Sequence, residues 1–172
     1  RTGIGAGRED VNVSCKGGHR VEIKGVAHNK WIPELSHNEA FRQYALLNIK
    51  KKLVKKIPDS SKWKIQYKEI DYYDYNFKYD PIKEAAEKES KIYAVNLPEF
   101  LGILSHFTQP GKIFADEISD RLKVIACIEK PNMTHSEELK TTLSVKEFDT
   151  IKKLLGAKDA DAQIIFWGPK DD

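Results

Sequence analysis

The sequence predicts an α+β fold, and three observations predict it. Residues 8–25 alternate apolar and polar side chains on both sides of a double glycine. Residues 33–57 carry apolar side chains at four-residue steps. From Lys91 onward, short apolar strands are interleaved with two well-delimited helices. Periods of 2 and of 3.6 residues mark strands and amphipathic helices respectively.

The opening stretch, REDVNVSCKGGHRVEIKG, reads as a hairpin. Val11, Val13 and Cys15 share one face, and Val21, Ile23 and Val26 share a face on the return strand. A two-residue Gly17-Gly18 turn would set Val13 against Glu22 and mix the faces, because one residue of slippage flips every side chain. A three-residue turn, Gly17-Gly18-His19, restores the match and is expected to place Ser14 opposite Glu22 and Asn12 opposite Lys24. The polar face then gathers Asp10, Asn12, Ser14, Arg20, Glu22 and Lys24.

Pro33 suits the first turn of a helix. Phe41, Ala45, Ile49, Leu53 and Ile57, with Leu46 beside them, form its expected buried stripe, and Pro58 ends it near Lys56. KWKIQYKEI is expected to be a half-buried strand with Trp63, Ile65 and Tyr67 inward. The aromatic-rich DYYDYNFKYD leaves two readings open, core packing or stacking on bases. Asp80 is the expected N-cap of a short helix running through Glu89. Ile92–Val95 reads as a strand. Pro110-Gly111 precedes a helix with Ile113, Phe114, Ile118 and Leu122 inward. The apolar run from Lys123 to Glu129 is expected to be a strand with Cys127 as a small core residue. SVKEFDTIKKLLG is a helix with a Ser144/Glu147 capping box, a buried stripe of Val145, Phe148, Ile151 and Leu155, and a stop at Gly156. QIIFWG closes as a buried strand.

Composition narrows the class. The chain has 172 residues, 40% of them hydrophobic and 32% charged. No stretch reaches the roughly 20 apolar residues that span a bilayer. The start, Arg1-Thr2-Gly3-Ile4-Gly5, has neither an initiator Met nor an apolar targeting core, which is expected of a piece of a longer protein. Two cysteines make no disulfide framework and fit a reducing, cytoplasmic setting. Cys15 and His19 have loose metal-like spacing, but no second pair completes a zinc site. The glycines of residues 3–7 lack the Lys-Ser/Thr ending of a phosphate loop and precede a strand, so both the P-loop and the dinucleotide readings fail. Eight lysines and one acid, Asp59, lie between Lys50 and Lys68, a local +7 in a chain of net charge +3. Such a segment is either a solvated lysine face or a contact for a polyanion.

The polar hairpin face keeps two readings as well. Cross-strand pairs of acids and bases are ordinary surface decoration. Two carboxylates with an amide, a hydroxyl and cations also suit Mg²⁺ and phosphate, since Mg²⁺ takes one or two carboxylates and shares a nucleotide's phosphates. Arg and Lys would neutralise the charge of a phosphoryl group in transfer.

TGIGAGREDVNVSCKGGHRVEIKGV closely resembles the motif of the E-type subunit of archaeal-type glutamyl-tRNA(Gln) amidotransferase and, more distantly, of the B-type subunit. Arg8, Asp10, Asn12, Ser14, Arg20, Glu22 and Lys24 all match its Arg-x-Asp-x-Asn-x-Ser and Arg-Val-Glu-Ile-Lys strands. VNLPEFLGIL, QPGKIFADEISDRLK and GAKDADAQIIFWG look like the insertion domain shared by these subunits and bacterial-type aspartyl-tRNA synthetases, while PNMTHSEELKTTLS departs from the family pattern. The resemblance implies residues 1–57 as the end of a larger catalytic cradle domain, 58–90 as a connector strand and short helix, 91–168 as a small α+β insertion domain, and 169–172 as an exit segment.

It also implies ATP- and Mg²⁺-dependent phosphorylation of the glutamate on misacylated Glu-tRNA(Gln), followed by transamidation with ammonia from an asparaginase-like glutamine amidase partner. Asp10 and Glu22 are the implied metal-binding acids. Arg8, Asn12, Ser14, Arg20 and Lys24 are the implied nucleotide-side residues. The family's remaining metal-binding acids and histidine would lie before Arg1, so the segment alone is expected to be inactive. A noncatalytic tRNA-binding module is the alternative.

Overall fold

Two blocks of sequence patterning, hairpin-plus-helix and then mixed strands and helices, become two compact units in the computed structural model. The structure describes residues 7–75, 77–138 and 142–170. The glycine-rich opening up to residue 6 lies outside them. One unit comprises the chain to Lys52 with His106–Lys112, and the other Leu53–Ser105 with Ile113 onward.

In the first unit, β1 (Glu9–Val13) pairs antiparallel with β2 (Val21–Val26). Alternation buries Val11, Val13 and Val26, against which Ile23, Ile32, Leu35 and Ala40 pack. The helix α1 (Ile32–Lys56) follows, with Pro33 in its first turn and Pro58 beyond its end. Its inner face carries Ala45, Ile49 and, unexpectedly, Gln43. Phe41, expected inside, is 43% exposed. Phe41 keeps the four-residue step of the stripe, but the helix residues that pack on the hairpin are Ile32, Leu35 and Ala40.

The second unit is built on an antiparallel sheet, β3 (Gln66–Glu69), β4 (Lys91–Leu97), β8 (Ala162–Gly168) and β7 (Met133–His135), adjacent in that order. β4 and β8 pair along their full length, from Lys91 opposite Gly168 to Leu97 opposite Ala162. Both of their faces are covered, which is why β8 reads as a continuous apolar run rather than an alternating one. On one face Ile92, Ala94, Ile165 and Trp167 pack with α3 (Asp80–Glu87) and α5 (Val145–Leu155). On the other Val95, Leu97, Ala162 and Ile164 pack with Ile113 and Ala115 at the start of α4 (Phe114–Ile125). A four-residue helix, α2 (Tyr72–Tyr75), and a short hairpin, β5 (Phe107–Gln109) with β6 (Lys112–Ile113), complete the elements.

Several expectations change. The strand at KWKIQYKEI is confined to β3, preceded by a 3₁₀ turn at Ser60–Lys62, and Ile65 and Tyr67 are exposed because β3 is the sheet's edge. Asp80 is the first helical residue of α3 rather than its cap, and the helix ends at Glu87. The apolar run at 124–128 is not a strand. α4 continues through Ile125, leaving Val124 and Ile125 exposed, and Cys127 is exposed at φ 54°. A short apolar run suits either element by period alone. What decides is Asn132: its buried side-chain amide binds the Ile128 and Ser119 carbonyls, so the chain turns here and β7 supplies the next strand. In α5 the box at Ser144 and Glu147 and the stop at Gly156 form as expected, but Val145, in the first turn, is exposed.

Candidate functional site

The hairpin's polar face is set by its register. Asn12 lies opposite Glu22 and Val13 opposite Val21. This differs by two residues from the expected pairing of Ser14 with Glu22 and Asn12 with Lys24. A shift of two preserves parity, so the polar residues still share one face. The cause lies outside the hairpin. Gln43 of α1 donates from Nε2 to the Val13 carbonyl (3.1 Å), and its Oε1 accepts from the Cys15 amide (3.1 Å). These are backbone groups that a tighter hairpin would spend on its own ladder. Gly18 closes the turn on the Cys15 carbonyl (2.9 Å). A Cβ on Gly18 would stand 2.6 Å from Gln43 Oε1, so any larger residue must push the Gln43 amide out of its hydrogen-bonded position.

Near its open end the ribbon is bulged. Glu9 faces Val26 and Val11 faces Ile23, so Asp10 opposes two residues, Lys24 and Gly25. Gly25 sits at φ 71°, as such a bulge requires. The Asp10 carboxylate accepts the Gly25 amide through Oδ1 at 3.0 Å, which leaves Oδ2 outside this bond. Glu22 receives Lys24 Nζ at 3.3 Å. Asp10 is two residues from Asn12, and Asn12 faces Glu22, so the two acids are diagonal neighbours on one face.

Arg8, Asp10, Asn12, Ser14, Arg20, Glu22 and Lys24 are all exposed. The structure therefore brings the two acids to one open face beside Lys24. As donors they fit part of a magnesium shell, which needs hard oxygens from one or two carboxylates and completes itself with water and phosphate. Among the described residues there is no cluster of three or more His, Cys, Asp or Glu side chains that could hold a metal.

The basic run divides by role. Lys56 donates to the carbonyls of Glu99 (3.1 Å) and Leu101 (3.0 Å), and Lys62 pairs with Asp59 (3.3 Å). Lys50, Lys51, Lys52, Lys55, Lys64 and Lys68 are exposed.

In the second unit, polar groups are sunk beneath the sheet surface, and sequence reasoning missed them. Asp161 accepts from Asn96 Nδ2 (2.8 Å), the Lys158 amide (2.9 Å) and the Glu99 amide (3.1 Å). Burial alone would raise its pKa, but these bonds together hold the carboxyl below its ordinary value. Gln163 donates to Asn96 Oδ1 (3.0 Å). Glu137 accepts from Ser105 N (2.8 Å), Ser105 Oγ (2.9 Å) and the Gly102 amide. His135 is buried, and burial lowers its pKa against the opposing pull of Glu138, Glu137 and Asp116. Burial thus favours the neutral ring. Nδ1 accepts from the Glu137 amide (3.3 Å), which leaves Nε2–H to face Glu138 at 3.4 Å. The alternation of strands gave no hint of these contacts: several join residues distant in sequence, and the local ones, Lys158 to Asp161 and Glu137 to His135, follow no strand period.

No protein-family model matches the chain. Curated proteins do. The chain is 35% identical over 176 residues to the E-type subunit of glutamyl-tRNA(Gln) amidotransferase from Sulfurisphaera tokodaii and 36% identical over 175 residues to that from Sulfolobus acidocaldarius. In both cases 99% of this chain aligns with 27% of the relative. The corresponding protein of Pyrococcus furiosus is 32% identical over 166 residues, covering 96% of this chain and 26% of its own length. The chain thus spans about a quarter of the length of the curated relatives it matches, and the resemblance to a segment of the E-type subunit is borne out.

Proposed function

We propose that this chain, a homologue of one segment of the E-type subunit of glutamyl-tRNA(Gln) amidotransferase, supplies the hairpin wall of that subunit's kinase and transamidation site. Residues 1–57 form the end of the cradle, 58–90 a connector, 91–168 the insertion domain and 169–172 the exit. The whole subunit activates Glu-tRNA(Gln). A γ-carboxylate oxygen attacks the terminal phosphorus of ATP and ADP leaves. Ammonia from the amidase partner then attacks the acyl carbon and phosphate leaves, giving Gln-tRNA(Gln). A carboxylate is a poor acyl donor, and phosphorylation gives it a leaving group.

The observation that carries this reading is the placement of Asp10 and Glu22 on one open ribbon face with Lys24 beside them. A bound Mg²⁺ would supply charge neutralisation for the transferring phosphoryl group. Asp10 Oδ2 and a Glu22 oxygen are the atoms that would hold it. Arg8, Arg20 and Lys24 bring cationic donors to the phosphates, and Asn12 and Ser14 bring neutral ones. The bulge matters here because the Gly25 amide fixes the Asp10 carboxylate in one orientation. The segment alone is inactive on this reading, since a site of this kind draws on the whole subunit. The residues described contain no helix long and apolar enough to cross a membrane.

The test separates charge from hydrogen bonding. In the full-length protein with its amidase, Asp10→Asn keeps an oxygen for the Gly25 amide and removes the negative charge. Phosphorylation of Glu-tRNA(Gln) should fall by about 100-fold or more, a few kcal/mol of lost transition-state stabilisation, while tRNA affinity and Tm hold. Asp10→Ala should add a loss of stability. A D10N protein that phosphorylates at the parental rate would remove Asp10 from the site. It would favour a noncatalytic tRNA-binding role, to which the exposed lysines also point.

A further inference from the structure

β3 is an edge strand, and its exposed residues form an unusual pair of rows. Tyr67 lies opposite Val95, and Glu69 opposite Tyr93. Tyr67 and Tyr93 are therefore diagonal neighbours on one face, with ring centroids 6.5 Å apart edge to face. Tyr93 in turn stacks on Phe166 across β4 and β8 at 5.3 Å. Phe166 packs against the core beneath α4. The aromatic row thus begins in the core and ends at Tyr67, which is 64% exposed, with Ile65 exposed beside it. A ring so open gains little from burial, and the row behind it holds its face in place.

Charge sorts the possible occupants. Lys64 and Lys68 are exposed on the same segment. The acid of the strand, Glu69, is occupied by Lys91 Nζ (3.2 Å) and the Tyr93 hydroxyl (3.3 Å), so the charge left over is positive. Lysines along an edge strand disfavour the addition of another protein's strand. Tyr67 opens on one face of the edge, and Lys68, opposite Ala94, emerges on the other, an arrangement that suits an unpaired nucleotide crossing the edge with its base on the ring and its phosphates at the lysines.

We propose that this edge is an RNA-contact surface, with Tyr67 stacking on an unpaired base of the tRNA and Lys64 and Lys68 facing its phosphates. The identity of the RNA rests on the functional reading above; the surface itself belongs to the sheet unit and uses none of the hairpin's residues.

The experiment uses the full-length protein with its amidase partner and a tRNA(Gln) transcript. Tyr67→Ala should weaken tRNA binding by about 5- to 150-fold, the range of one lost stack, and Tyr67→Phe should restore it. Lys64→Gln and Lys68→Gln should each lower the slope of log K against log salt by about 0.7, the single-strand increment. Unchanged affinity and slope in all of these variants, with the parent binding tRNA, would overturn the surface and leave the functional reading standing. Failure of the parent to bind tRNA at all would overturn both. Loss of association with the amidase while tRNA binding stays intact would assign the edge to protein and overturn the proposal.

Discussion

Gln43 shows how a single side chain fixes a register. It meets the Val13 carbonyl, the Cys15 amide and the Glu39 carboxylate (3.0 Å) from the inner face of a helix. Replacing it with Leu would keep the volume and strand two backbone groups. Gln43→Leu should cost about 1–3 kcal/mol in denaturant unfolding, the penalty for unpaired buried polar groups. Gly18→Ala should be similarly destabilising, because the new Cβ displaces the Gln43 oxygen. Wild-type midpoints for both variants would show that the turn holds without this anchor. Parity alone made the shared face of Asp10 and Glu22 legible in the sequence. It could not reveal that Asp10 also locks a bulge, since a bond to a residue 15 positions away leaves no local trace.

At the scale of elements, α5 is the best-specified helix in the sequence. Ser144 Oγ accepts from the Glu147 amide, and the Glu147 carboxylate accepts from the Ser144 amide (2.7 Å). The structure adds a third partner, the Lys78 amide (3.0 Å), which ties the helix start to the segment before α3. Ser144→Ala should cost about 1 kcal/mol, the usual worth of an N-cap. Glu147→Ala should cost more, because it frees donors on two segments. Equal losses in thermal melts would show the Lys78 contact to be inert. The element that was misread, the run at 124–128, fails for the opposite reason. It has neither cap nor sustained period, and buried Asn132 decides its path.

At the scale of the molecule, buried and half-buried titratable groups set the response to acid. Burial holds His135 below its ordinary 6.5, so the folded ring binds fewer protons than the unfolded one. Its contribution is present above that value and is lost as pH falls. Asp161, and Glu147 with its capping bonds, both lie below their ordinary 3.8 and 4.5, against the upward push of burial. Their contributions vanish as pH falls further. The sheet unit should therefore lose stability in two stages on acidification, a shallow one below about pH 6.5 and a steeper one below about pH 4.5. His135→Gln should flatten the first stage in urea titrations across pH 5–7. A parental slope in that variant would assign the stage to other groups.

The sequence by itself determined the α+β class, the hairpin with its acids on one face, the long helix and its end, the capped α5 and the central strand β8. These are local matters, in which period, parity and capping chemistry act within a few residues. Tertiary structure decided the hairpin's register, the bulge at Asp10, the exposure of Phe41 and Cys127, the fate of the run at 124–128 and the polar anchors around Asp161. Most of these depend on contacts outside the local period, and burying a polar group is tolerable once its partner arrives. No periodicity in the chain encodes where such a partner will be.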